Sequence, residues 1–322
     1  MLRNMLFAGH RPAQRIFKYR CLAKHRLLPL KISSSLFKRT ITAGLTHNMR
    51  EIDLLRVESN GHYYQETMTV KDLLHATNLQ ARDLLPLEGM VGMASIQPRR
   101  SSIVVGVSHQ RAIITSREMF LLYPESFAVR HFAKEFKQTL TEIQASNFDT
   151  TPDFELLALE GVLSNIAHKY TRRIGCFGPM ITSLLEELRG TEYKSLGNAT
   201  GNVGSSIASR ILPLRNTLSS YERSSEGLMR CIERVMNDDA DMAMMMLSRR
   251  EKEHPSGDIN EVIDVSQHEP VELILEAYYH RVEECVQSAF GLRKVCTLFF
   301  SSNPIHTYEH EFLTFTLFSR FI

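Results

Sequence analysis

The chain has 322 residues, 43% of them hydrophobic and 23% charged, enough to bury a large core and too apolar to remain unfolded. Its net charge of +2 conceals two unlike parts: residues 1–50 carry eleven Lys or Arg and no Asp or Glu, leaving 27 of the 38 basic side chains against all 36 acids in the remainder. An acidic body speaks against a nucleic-acid-binding module, and no apolar run approaches the roughly 18 residues of a membrane-spanning helix.

Residues 1–50 alternate basic side chains such as Arg3, Arg11, Arg15, Lys18 and Arg20 with Leu6, Phe7, Ile16 and Phe17, and continue into Ser33-Ser34-Ser35. Basic, acid-free and partly amphipathic, this stretch reads as a mitochondrial transit peptide rather than as a basic tail that touches nucleic acid or lipid. Glu51 marks the return to mixed charge.

Residues 51–150 read as an α+β sheet domain. Thr69-Val70-Lys71-Asp72 has the spacing of a capping box and predicts a short helix through Asn78. The β-rich runs 91–97, 103–108, 112–115 and 119–123 follow, separated by connections too short for helical crossovers, so the sheet is predicted to be mostly antiparallel. Val129, Phe132, Phe136, Leu140 and Ile143 recur at helical steps and predict a helix packed on that sheet. Residues 145–152 have the composition of a loop.

Residues 151–294 read as a region of long antiparallel helices. One opens at Asp153 and carries Phe154, Leu157, Val162, Ile166 and Tyr170; Gly175, Gly178 and Pro179 predict a kink or break in it. Residues 190–204 read as a connection, after which Ile207, Ile211, Leu214, Leu218, Tyr221, Leu228, Ile232 and Val235 keep helical spacing up to an acidic end, Asn237-Asp238-Asp239-Ala240-Asp241. Residues 249–269, with Pro255-Ser256-Gly257, read as a surface linker. Val271, Ile274, Tyr278, Val282, Cys285, Ala289 and Leu292 then predict a helix of at least six turns. Residues 295–322, holding six of the 17 phenylalanines, lose that period and are expected to end the helix in an atypical tail.

The five cysteines are scattered, without a Cys-x-x-Cys pair or zinc spacing, and Cys231 and Cys285 fall on apolar stripes as small core residues. Met242, Met244, Met245 and Met246 read as adaptable packing, against a neighbouring subunit, rather than as a soft-metal site. His254, His268, His306 and His310 lie in linker or tail, where a lone histidine is expected to be solvated. There is no nucleophile with an orienting base and no phosphate-binding glycine loop, so no catalytic residue is assigned and an enzyme is not expected.

The acids carry the chemistry. Glu222 and Glu226 stand four apart on one helix face, Asp238, Asp239 and Asp241 form a cluster, and Glu272 and Glu276 again stand four apart. Such carboxylates suit a hydrated hard cation, Mg2+ above all, held weakly as a regulatory or transported ion. The competing reading is a set of solvated helix faces.

Gln80-Ala81-Arg82-Asp83-Leu84, Arg111-Ala112-Ile113-Ile114-Thr115 followed by Leu121-Leu122, and Phe154-Glu155-Leu156-Leu157-Ala158-Leu159-Glu160 occur in an order that resembles the mitochondrial branch of the CorA-type magnesium transporters. Residues 237–246 are similar to that family's acidic, Met-containing segment, and Glu272 to Tyr279 to its Leu-Leu-Glu-Ala-Tyr helix. The resemblance implies an α+β matrix domain leading into a long helix and two membrane spans, with five subunits around a pore. The family's Gly-Met-Asn filter is absent, and Gly89-Met90-Val91 and Gly92-Met93-Ala94 have the wrong third residue. The expected function is therefore the soluble, matrix-side regulatory part of a mitochondrial inner-membrane magnesium transporter, sensing Mg2+ through carboxylates, with the pore lacking in this chain and residues 295–322 replacing the family's continuation. Its expected partners are further copies of itself and full-length transporter subunits, not nucleic acid. The alternative is a non-transporting helical partner or scaffold that assembles with such subunits.

Overall fold

Six antiparallel strands form the centre of the computed structural model, which describes residues 50–88, 94–107, 110–145, 152–192, 202–253, 265 and 268–302. The strands β1 (Glu51–Glu58), β2 (Tyr63–Thr69), β3 (Ser95–Pro98), β4 (Ile103–Val107), β5 (Gln110–Ile114) and β6 (Glu118–Leu122) take the order β2-β1-β6-β5-β4-β3. The predicted leader, the loop at 146–151, the connection at 193–201, most of the linker and residues 303–322 lie outside the described residues.

β1 and β2 are strands that the apolar pattern does not announce. Leu54 and Leu55 are adjacent and both buried, one on each face of the sheet, so β1 lacks a clean alternation, and no residue of β2 is fully buried. The signal was the turn. Asn60-Gly61 connects the two strands, Gly61 has φ +82, and the Asn60 side chain accepts from the His62 amide at 2.7 Å.

Alternation divides the sheet between two layers. Leu55, Val57, Ile103, Val105, Ala112, Ile114, Met119 and Leu121 face the large helical core, whereas Leu54, Val104, Ile113, Phe120 and Leu122 face a smaller cluster. That second face is covered by α1 (Val70–Thr77) and α2 (Leu85–Glu88) through Val70, Leu73 and Leu87. Half of the predicted capping box at the start of α1 is formed: the Thr69 hydroxyl accepts from the Asp72 amide at 3.2 Å as the N-cap, but the Asp72 carboxylate accepts from that same hydroxyl at 2.7 Å and not from the Thr69 amide. On the other face α3 (Phe127–Ala145) buries Val129, Phe132, Phe136 and Leu140, as the spacing predicts.

Three long helices make the rest: α4 (Phe154–Glu192), α5 (Asn202–Met236) and α8 (Glu269–Ser302). Tyr170 meets Tyr221 and Glu187 pairs with Arg210, so α4 and α5 run antiparallel; Thr171 meets Cys285 while Cys296 packs among Ile181, Leu184, Ile211 and Leu218, so α8 runs parallel to α4 and antiparallel to α5. α5 also closes the open edge of β3. The Ile96 amide donates to the Cys231 sulfur at 3.1 Å and Arg234 donates to the Ile96 carbonyl at 2.9 Å, so the edge strand is satisfied by a helix instead of another strand.

Three expectations need correction. Of the kink or break expected at Pro179, the break is absent and α4 runs through: Pro179 and Gly175 are both exposed, so the freed Gly175 carbonyl reaches water, and Ile181 and Leu184 beyond it are pinned against Ile211 and Leu218. The acids do not end a long helix. α5 stops at Met236, and the short helices α6 (Asp239–Met244) and α7 (Leu247–Glu253) follow, so the cluster opens α6 instead. Finally, α8 continues past Lys294 to Ser302. Its stripe extends from Cys285, Ala289 and Leu292 to Cys296, which is 1% exposed among Ile181, Leu184, Ile211 and Leu218. Aromatic composition obscured a period that the backbone keeps.

No helix among the described residues is long and apolar enough to cross a membrane.

Candidate metal centre

Asp238 has extended backbone angles (φ −129, ψ 98) and its carboxylate accepts from the Ala240 and Asp241 amides at 3.0 and 3.2 Å, which makes it the N-cap of α6. Asp239 and Asp241 therefore fall in the first turn, where the positive end of the helix favours negative charge. Met242, Ala243, Met245 and Met246 anchor this segment in the core. Met242, Met245 and Met246 pack in the core of this chain itself, where packing against a neighbouring subunit was expected, and hold the acids at a fixed place.

α8 begins at the same place. His268 is its N-cap: the His268 carbonyl accepts from the Val271 and Glu272 amides at 2.9 and 3.1 Å. The side chain is only 18% exposed and is not solvated as a linker histidine was expected to be. Its Nδ1 lies 2.7 Å from the Val265 carbonyl, which can only accept, so Nδ1 carries a hydrogen. Nε2 then faces two carboxylates, Glu272 Oε2 at 3.5 Å and Asp239 Oδ1 at 3.8 Å. Pro270 was the overlooked signal, because a proline in the first turn places the helix start, and so the N-cap, just before it.

The seven candidate acids thus separate into groups. Asp239 and Glu272 flank His268, with Asp238 and Asp241 in the adjoining turn of α6. Burial, and then the neighbouring Asp238, push the Asp241 carboxyl above its ordinary range, only partly offset by Arg234 and Arg99. Glu276 lies one turn further along α8, with its nearest ionic partner His280 Nε2 at 4.0 Å. Glu222 and Glu226 stand elsewhere, on α5. Glu222 is 8% exposed and accepts from two of the three guanidinium nitrogens of Arg293, Nε at 2.5 Å and a terminal nitrogen at 3.2 Å, while Glu226 pairs with Arg230 at 2.9 Å. Among the described residues no group of three or more His, Cys, Asp or Glu side chains is arranged to hold a metal ion.

One buried acid escaped the sequence reading. Glu155 on α4 is fully buried and accepts from both the amide and the hydroxyl of Ser248 at 2.6 Å, holding the first turn of α7. Burial raises its pKa, and the two Ser248 bonds oppose that rise. With both oxygens occupied, its role is to dock α7 beside the acid-bearing segment.

Residues 55–296 match the family model described as magnesium transporter MRS2-like. The chain is 26% identical over 200 residues to the magnesium transporter MRS2-2 of Arabidopsis thaliana, covering 56% of this chain and 48% of that protein. It is 23% identical over 247 residues to the mitochondrial inner membrane magnesium transporter mrs2 of Schizosaccharomyces pombe, covering 72% and 54%. It is also 23% identical over 228 residues to the mitochondrial inner membrane magnesium transporter LPE10 of Yarrowia lipolytica, covering 69% and 46%. The chain spans about half the length of these curated relatives. A six-stranded antiparallel sheet backed by three long helices, and a family match over three-quarters of its length, agree with the resemblance read from its motifs: the chain belongs to the MRS2-like family of CorA-type magnesium transporters.

Proposed function

We propose that this chain is the matrix-side regulatory part of a magnesium transporter at the mitochondrial inner membrane, and that it responds to Mg2+ through the acids at the start of α6 and α8. The observation that carries this reading is the convergence of Asp239 and Glu272, 33 residues apart in sequence, on His268, beside an Asp241 whose charge is already disfavoured by burial. A hydrated Mg2+ needs few protein ligands, and weak carboxylate sites release it again. At high Mg2+ the ion screens these acids and favours a closed assembly; at low Mg2+ their repulsion loosens it.

Glu276, one turn along α8, extends the same acidic face. Glu222 and Glu226 enter as ligands only if they exchange Arg293 and Arg230 for a cation, so the α6 and α8 acids are the leading set. Leu273, Phe290 and Leu298 are 59%, 49% and 55% exposed on α8, apolar contacts suited to helices of neighbouring subunits in a homo-oligomer or with longer transporter subunits.

The test expresses a tagged chain with a full-length transporter of the family and follows three readouts: protease protection inside the inner membrane, co-purification, and Mg2+ uptake into the matrix. Protection and co-purification are expected, together with uptake whose dependence on matrix Mg2+ is blunted by Asp239→Asn with Glu272→Gln. A chain outside the inner membrane, or one that neither associates with the transporter nor alters uptake, contradicts the proposal.

A further inference from the structure

We propose that Glu155 of α4 and Ser248 of α7 form a proton-sensitive latch, which holds α7 on α4 while the carboxyl is neutral and releases it as pH rises. The starting point is a mismatch in solvation. Glu155 is fully buried between the buried Phe154 and Leu156, and among the described residues its side chain meets the amide and hydroxyl of Ser248, both at 2.6 Å, and no cation. A buried carboxylate without a positive partner is costly.

Hydrogen bonding does not choose between the two charge states. As a carboxylate, Glu155 accepts from the Ser248 amide and hydroxyl; as a neutral acid, it still accepts from the amide and donates to the hydroxyl oxygen. Solvation does choose. Burial raises the Glu155 pKa, the Ser248 hydroxyl, the Ser248 amide and its own amide oppose that rise, and the charge of Asp153 adds to it. The remaining charges on α7 are turned elsewhere: Lys252 pairs with Asp153 at 3.5 Å, Glu251 takes Ser116 and Arg117 at 2.9 Å, Arg249 pairs with Glu253 at 2.8 Å, and Arg250 donates to the Arg100 carbonyl at 3.0 Å.

Little else holds α7. Leu247 is its one buried residue, and its outer side faces an open cavity of about 400 Å3 lined by Ser116, Arg117, Ser248, Glu251 and Lys252, where solvated ion pairs contribute little. Undocking hydrates Glu155 and returns it to the ordinary carboxylate range. The opening equilibrium is therefore insensitive to pH below that range, becomes more favourable between the undocked and the docked pKa, and levels off above the docked one. Because α7 follows α6 after Met245 and Met246, its release frees the far end of the acid-bearing segment. The latch does not depend on the magnesium reading.

The test is hydrogen exchange of the full purified chain in chelator, from about pH 5 to about pH 8. Mass spectrometry follows peptides covering α7, in wild type and in Glu155→Gln, which copies the neutral acid. Comparing the two at each pH removes the intrinsic pH dependence of exchange, and Asp241 is common to both. Exchange of α7 in wild type relative to the variant is expected to increase with pH, by about tenfold for each unit by which docking raises the pKa, while α3 is expected to show no difference. Parallel α7 profiles in the two proteins, or wild-type exchange that falls relative to the variant as pH rises, overturn the proposal. Circular dichroism checks that Glu155→Gln folds; if it does not, Ser248→Ala decides. Loss of a charge-assisted bond weakens the ionised form more than the neutral one, so Ser248→Ala is expected to steepen the α7 response to pH, and an unchanged or weaker response overturns the proposal.

Discussion

Asp241 holds its proton more tightly than a free aspartate, because burial and the nearby Asp238 both disfavour its charge. Its folded-state pKa therefore lies above the unfolded one. Ionisation weakens the fold at pH values above the folded pKa, and the penalty disappears below the unfolded pKa, where the side chain is protonated in both states. Asp241→Asn is thus expected to raise the thermal midpoint at about pH 7 and to leave it unchanged near pH ~3, below the ordinary carboxylate range. Solvent screening keeps the gain under about 1 kcal/mol. Differential scanning fluorimetry at the two pH values checks it, and a loss of stability at neutral pH would mean that Asp241 is stabilising. Cations are expected to relieve the same penalty, so the benefit of the substitution should shrink as Mg2+ is added.

At the scale of elements, α5 and α8 are clasped by Glu222 and Arg293, a bidentate pair with the acid buried and the base partly so. Arg293→Ala strands a buried carboxylate and is expected to cost about 2 kcal/mol, reduced from a fully buried pair because Arg293 is partly solvated. Glu222→Gln, which keeps the shape and removes the charge, should cost about half as much, at about 1 kcal/mol. Urea unfolding midpoints test the order; if Glu222→Gln were the more damaging, the carboxylate would have another role. The sequence made α3, α4, α5 and α8 legible because one face of each packs on a core, and 3.6-residue spacing survives in Val129, Phe132 and Phe136 or in Val271, Tyr278 and Val282. It concealed β1 and β2, where burial on both faces or on neither erases alternation and only Asn60-Gly61 remained as a marker. The end of α5 was hidden for a related reason: acids at a helix start and acids at a helix end look alike until Asp238 is seen to cap α6. Of the site, the acids were visible by charge, but their meeting at His268 depends on tertiary placement that no local pattern encodes.

For the whole molecule, the sheet and helices share one continuous core from Leu55 to Ala289, so the start of α6 and α8 is held by the same packing that fixes the sheet edge through Cys231 and Arg234. A cation that draws α6 and α8 together is therefore felt as stability and, where α8 meets a neighbour through Phe290 or Leu298, as assembly. The most direct measurement is a magnesium titration of the purified chain, read by thermal midpoint and by sedimentation velocity, beside a variant carrying Asp239→Asn, Asp241→Asn and Glu272→Gln. The account predicts that millimolar Mg2+ raises the midpoint and shifts self-association in the wild type and does neither in the variant. A wild-type chain indifferent to Mg2+ in both readouts, or a variant that responds equally, would contradict it.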